Sequence, residues 1–136
     1  MYHPWRDLRA LTHVALYWRD DLPPLIRALT DGRHIWMAEH LSQVQRRCTL
    51  THELEHVRRG HRECQPESVE ASVRVSTART LLPDVHAVAA EVTAAHTMAE
   101  AADQLWVTTE VLVHRLESLH PSEHAVVAAR VRRAEG

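Results

Sequence analysis

Ser42-Gln43-Val44-Gln45-Arg46-Arg47-Cys48-Thr49-Leu50-Thr51-His52-Glu53-Leu54-Glu55-His56-Val57-Arg58-Arg59-Gly60 reads as one helix with both ends marked. Gln45 follows Ser42 by three residues, the spacing of a capping box, in which each side chain satisfies an otherwise orphaned amide of the other residue. Gly60 supplies the left-handed residue that stops a helix. Inside these limits stands His52-Glu53-Leu54-Glu55-His56, a His-Glu-x-x-His pattern. Residues four apart share a helical face with Cβ atoms about 6 Å apart, so His52 and His56 can clasp one ion. Glu53 is offset by one residue, so it can take a proton from a metal-activated water without ligating the metal. Zinc suits two imidazoles of this spacing, and brings the pKa of such a water towards about 7. In a chain with 12 His among 136 residues the five letters alone are a modest signal. Their place in the C-terminal half of a well-capped helix gives them weight.

A catalytic zinc site needs a third protein ligand and an open position. The residues that follow offer His61, Glu63, Cys64, Glu67 and Glu70. Pro66 closes a short connection, and a second helix is expected from Glu67 to Leu82, before Pro83. If the two helices pack antiparallel across that connection, His56, four residues before Gly60, lies level with Glu70, four after Pro66. Glu67 lies a turn nearer the loop. His61 is one residue early for the elongated HExxHxxGxxH pattern, and Gly60 is displaced from it too. The spacing favours Glu70, with His61 and Glu67 as the alternatives.

Helical periodicity continues through 84–96, 98–105, 108–119 and 122–134, with Thr108 as an N-cap and Pro121 in a first turn. Upstream, residues 5–11 read as a short helix and His13–Trp18 as a strand. Leu25–Thr30 and His34–Met37 flank Asp31-Gly32, a hairpin signal. The expected fold is α+β: a small antiparallel sheet, then helices. Residues 1–97 would form the metal-binding domain and 98–136 a helical extension packed on it.

Composition narrows the function classes. The net charge of −2 gives no general attraction to nucleic acid or acidic membranes. All 16 basic residues are Arg, so no Lys is present for Schiff-base or P-loop chemistry. Cys48 and Cys64 form no CxxC pair and are expected as reduced thiols. Residues 1–7 lack the basic and apolar regions of a signal peptide, and no run approaches a membrane span, so a cytoplasmic protein is expected.

The stretch Arg46–His56, then Glu70 leading to Leu81-Leu82-Pro83, resembles the ImmA/IrrE family of metallo-endopeptidases. The Asp31-Gly32 hairpin and the His34-Ile35-Trp36-Met37 strand ahead of the helix also fit. The resemblance spans about residues 10–120 and is strongest over 31–83. It implies a small antiparallel sheet on a minimal zincin-like helical core with C-terminal helices. It also implies zinc on His52, His56 and Glu70, with Glu53 as base. The implied activity is selective cleavage of a helix-turn-helix DNA-binding repressor, which releases phage, mobile-element or stress genes. The alternative is a non-catalytic regulator with the same fold that binds a repressor or DNA.

Other residues carry weaker signals. Tyr17, His61 and His86 are the candidate carbonyl-polarising donors, although a packed or solvated role suits each better. Cys48 lies one turn before His52 and is expected to pack rather than ligate. Trp18, Trp36 and Trp106 read as core. The pairs Arg46-Arg47 and Arg58-Arg59 read as solvated helix faces. Residues 98–119 have helix-turn-helix-like spacing, but Glu110, His114, Arg115 and Glu117 give the second helix little net positive charge. They read as a structural helical pair, and no direct nucleic-acid or membrane partner is expected.

Overall fold

The computed structural model describes residues Met1–Gly136 as seven helices and a three-stranded mixed sheet, an α+β arrangement. Helix α1 (Pro4–Ala10) precedes strands β1 (Ala15–Arg19), β2 (Ala28–Thr30) and β3 (His34–Ala38). Then come α2 (Gln43–Arg58), α3 (Glu67–Leu81), α4 (Val85–Ala94), α5 (Met98–Leu105), α6 (Thr109–Glu117) and α7 (Pro121–Glu135). No helix is long and apolar enough to cross a membrane.

The sheet corrects the expectation of an all-antiparallel arrangement. Its order is β1-β3-β2, with β3 antiparallel to β2 but parallel to β1. Local chemistry makes the β2–β3 hairpin: Asp31 accepts from the amides of Arg33 and His34, and Gly32 sits at φ +91°. Burial then decides which strand is central. Strand β3 carries Ile35, Met37 and Ala38, all buried, whereas β1 is largely exposed, β2 has no buried residue, and both take the edges. The long connection after β1 lets β2 pass to the far side, which leaves β3 parallel to β1. Strand β2 also starts later than expected. Pro23–Ile26 forms a turn, closed by the Ile26 amide on the Pro23 carbonyl, with Leu25 at φ +72°.

Helix α2 is the wedge of the fold. Leu50 and Leu54, on one stripe, join Ile35, Met37, Ala38 and Leu41 in a core beneath the sheet. On another stripe Cys48 joins a second core with Ala78, Leu81, Leu82, Val88 and residues beyond position 97: Ala101, Ala102, Val107, Val111 and Leu112. Helix α3 packs on α2 and on α6, and α7 packs on α4. Arg47 is 4% exposed and binds the carbonyls of Tyr2 and Trp106, and Arg46 lies 4.5 Å from the centre of the Trp18 ring. Arg58 reaches Asp7, and Arg59 reaches Glu55, Ser72 and Ser76. Arg46 and Arg47 thus tether elements instead of forming a solvated face, whereas Arg58 and Arg59 stay exposed, as expected, while also bonding to α1 and α3. Trp18 and Trp106 lie at the surface and Trp36 is half-buried, in place of the expected core positions. Trp106 ends α5 at φ 58°, which turns its ring outward.

Both ends of α2 are built as the sequence spells them. Ser42 Oγ accepts from the Gln45 amide, and the Gln45 side chain accepts from the Ser42 amide. Replacing Ser42 by Ala is expected to lower the unfolding free energy by about 1 kcal/mol, read from the denaturant midpoint at unchanged slope. At the other end Gly60 sits at φ +77°, its amide donates to Val57, and the His61 amide donates to His56. These two bonds make a Schellman cap.

Candidate metal centre

Three side chains converge where α2 meets the first turn of α3. One donor atom from each of His52, His56 and Glu70 lies within 4.8 Å of the others. His52 Nε2 and His56 Nε2 are 3.2 Å apart. Glu70 Oε2 is 3.2 Å from His56 Nε2 and 3.3 Å from His52 Nε2. The reason is local. His52 and His56 are one helical turn apart on α2, and α3 returns antiparallel after Pro66, where the Glu70 amide bonds to the Pro66 carbonyl. Glu67 turns away, largely exposed, and pairs with Arg74.

The donor set fits zinc in kind and in size. Zinc–nitrogen and zinc–carboxylate bonds of about 2.0–2.1 Å at tetrahedral angles separate the donor atoms by about 3.3–3.4 Å. The separations here match that edge length within about 0.2 Å. Burial pushes the His52 pKa down, helped by His56, and burial does the same for His56. Both imidazoles therefore stay neutral to lower pH than exposed ones, and a neutral ring is the ligating form.

Glu53 is 7% exposed beside this triad. Burial, and secondarily the Glu70 carboxylate, push its pKa up to about 8, with no hydrogen bond or cation opposing them. A carboxylate left this way is costly unless a cation comes to it. A divalent ion among His52, His56 and Glu70 would favour the ionised form, the state a base needs.

Two cavities meet at His52, Glu53 and Ala28. The smaller, about 180 Å³, runs past His56 and Glu70 to Glu63 and Cys64 and is walled by edge strand β2. The larger, about 500 Å³, lies between the Leu25–Ala28 segment and α6, floored by Cys48, Thr77 and Val111. Arg27 and Glu110, both in its lining, pair at 3.1 Å. Strand β2 was not singled out in the sequence as a site element. A short edge strand separated from the motif helix by β3 carries no residue signal for that role.

Cys48 packs in the helical core, where burial raises its thiol pKa. Cys64 is exposed, and neither cysteine is in a disulfide. Tyr17, on β1, has its ring tilted 35° to that of His34 on β3, and His86 is exposed on α4; neither lines either cavity. His61 is not brought into the triad. It lies behind His56, with the two Nδ1 atoms 2.9 Å apart. Helix α6 turns Val111, Leu112 and Arg115 inward, so its inner face is spent on packing. No protein-family model, curated protein or solved structure matches this chain.

Proposed function

We propose that the chain is a zinc-dependent endopeptidase with a zincin-like core, akin to the ImmA/IrrE metallo-endopeptidases, that cleaves a helix-turn-helix repressor in the cytoplasm. The observation that carries the zinc and peptidase reading is the His52–His56–Glu70 triad at tetrahedral edge distances, with unpartnered Glu53 beside it. The repressor as substrate rests on the resemblance of Arg46–His56 and Glu70–Pro83 to that family. His52, His56 and Glu70 would hold the ion. When bound, zinc supplies Lewis-acid polarisation of a peptide carbonyl and acidification of a water. Glu53, ionised beside the ion, accepts the proton of the attacking water and delivers it to the leaving amine. Strand β2, at the sheet edge and lining the triad's cavity, offers free backbone groups to an extended peptide, the mode by which strand addition aligns a substrate.

Two measurements test this. Elemental analysis should find one zinc per chain in the wild type and little in Glu70→Ala, because two imidazoles alone make a weak site. A proteome-derived peptide library incubated with the zinc-loaded chain should show new termini by mass spectrometry that a chelator suppresses. A chain that takes no zinc would sink the reading. Zinc bound without any cleavage, in the library or of a co-expressed repressor, would favour instead a regulator that acts by contact.

A further inference from the structure

His56 is held from behind by the end of its own helix. In the Schellman cap of α2, His61 is the residue whose amide closes back on the His56 carbonyl, at 3.0 Å, and Gly60 makes the turn at φ +77°. Such caps usually bring an apolar side chain of the outer residue onto the last turn. Here the contact is between two imidazoles, with ring centroids 5.1 Å apart and Nδ1 atoms 2.9 Å apart. The β2–β3 turn runs beside the loop that carries His61. A Cβ added at Gly32, in the β2–β3 turn, would lie 3.4 Å from the His61 carbonyl oxygen.

Two nitrogens at that distance share one proton, so one ring donates and the other accepts. His56 Nε2 faces His52 and Glu70. With an ion on Nε2, the remaining proton of a neutral His56 is on Nδ1, and the only arrangement left has His56 donating and His61 accepting. We propose that His61 is a positioning residue: its Nδ1 lone pair, fixed by the Schellman cap, accepts the Nδ1 proton of His56 and so aims His56 Nε2 at the metal centre. This role rests on the metal reading above. It differs from ligation, since the ring sits on the far side of His56 from Glu70. It requires His61 to be neutral with its proton on Nε2. Partners of this kind orient a ligand ring and raise its basicity, and their loss costs roughly 10–100-fold in metal affinity.

The test uses the full chain. Competitive zinc titration should show His61→Phe, which keeps an aromatic ring but no acceptor, binding roughly 10–100-fold more weakly than wild type. His61→Asn, whose carbonyl oxygen stands where Nδ1 was, should recover most of that loss. In the zinc-loaded, nitrogen-15-labelled wild type, a scalar coupling between His56 Nδ1 and His61 Nδ1 should report the hydrogen bond directly, with the His61 proton on Nε2. Unchanged zinc affinity in His61→Phe, or His61 protonated on Nδ1 in the loaded chain, overturns the proposal while leaving the triad intact. A wild type that takes no zinc overturns the metal reading, and this role with it.

Discussion

Glu53→Gln should keep zinc and lose turnover by roughly 10²–10⁴-fold, the share that a positioned general base contributes. Glutamine has the shape of glutamate, so the walls of both cavities stay as they are. It cannot accept and then release a proton, so the attacking water is left without a base. Zinc affinity should change little, because Glu53 is not among the three converging donors. The same variant carries a stability signature in the metal-free chain. The folded pKa of Glu53 is raised to about 8 from an ordinary 4.5. As pH rises through 4.5 the unfolded state ionises while the folded state does not, so the wild type loses stability up to about pH 8. Glu53→Gln removes that loss, and metal-free variant and wild type should diverge across this window, with the variant the more stable. Cleavage at wild-type rate by zinc-loaded Glu53→Gln would end the peptidase reading.

The largest stability effect is expected far from the metal centre, at Glu123→Ala. Arg115 is 1% exposed, and its guanidinium is held by the Leu82 carbonyl at 2.7 Å and by Glu123 at 2.5 and 3.2 Å. Glu123 also accepts from Arg79 at 2.8 Å and from the His120 amide at 3.1 Å. One carboxylate thus joins α3, α6 and the start of α7. Removing it leaves a buried guanidinium with a single carbonyl for company, at a cost of about 3–5 kcal/mol in denaturant unfolding. Replacing Arg115 and Glu123 together by Met and Leu should recover much of that loss, since no charge is then stranded. Arg115, with the other contacts, holds the Glu123 carboxyl far below the ordinary carboxylate range. Its contribution is therefore complete above the unfolded value of 4.5 and fades as pH falls through the folded value. The difference between wild type and Glu123→Ala should shrink on acidification from pH 5 towards pH 2. A pH-independent difference, or one under about 1 kcal/mol, would show that the network carries little stability.

What the sequence made legible follows a physical line. Helix α2 was readable to within a residue because Ser42, Gln45 and Gly60 act through bonds that close within five positions. Glu70 was within reach of counting, because Pro66 and Gly60 bound a short connection and antiparallel helices pair by distance from it. The parallel pairing of β1 with β3 was not, since which edge a strand joins depends on the burial of a third strand. Arg115 was weighed only as one of the charges of the second helix of 98–119, and its burial depends on Glu123, a partner on the next helix. His61 was weighed as a ligand by comparison with a longer motif. Counting from Gly60 as the left-handed residue would have set it against His56, because a Schellman cap always joins those two positions.

The Arg27–Glu110 pair has a consequence for what can enter the cleft. Its two side chains are 38% and 65% exposed and stand 83 residues apart in sequence, one at the sheet edge and one on α6. An exposed pair of this kind contributes about 1 kcal/mol or less, and salt screens it further. The lining of the larger cavity therefore includes an ion pair that thermal motion opens readily and that ionic strength loosens. A ligand of that cavity that must part Arg27 from Glu110 meets little resistance, and its rate of entry should rise with salt where most charge-steered encounters slow down.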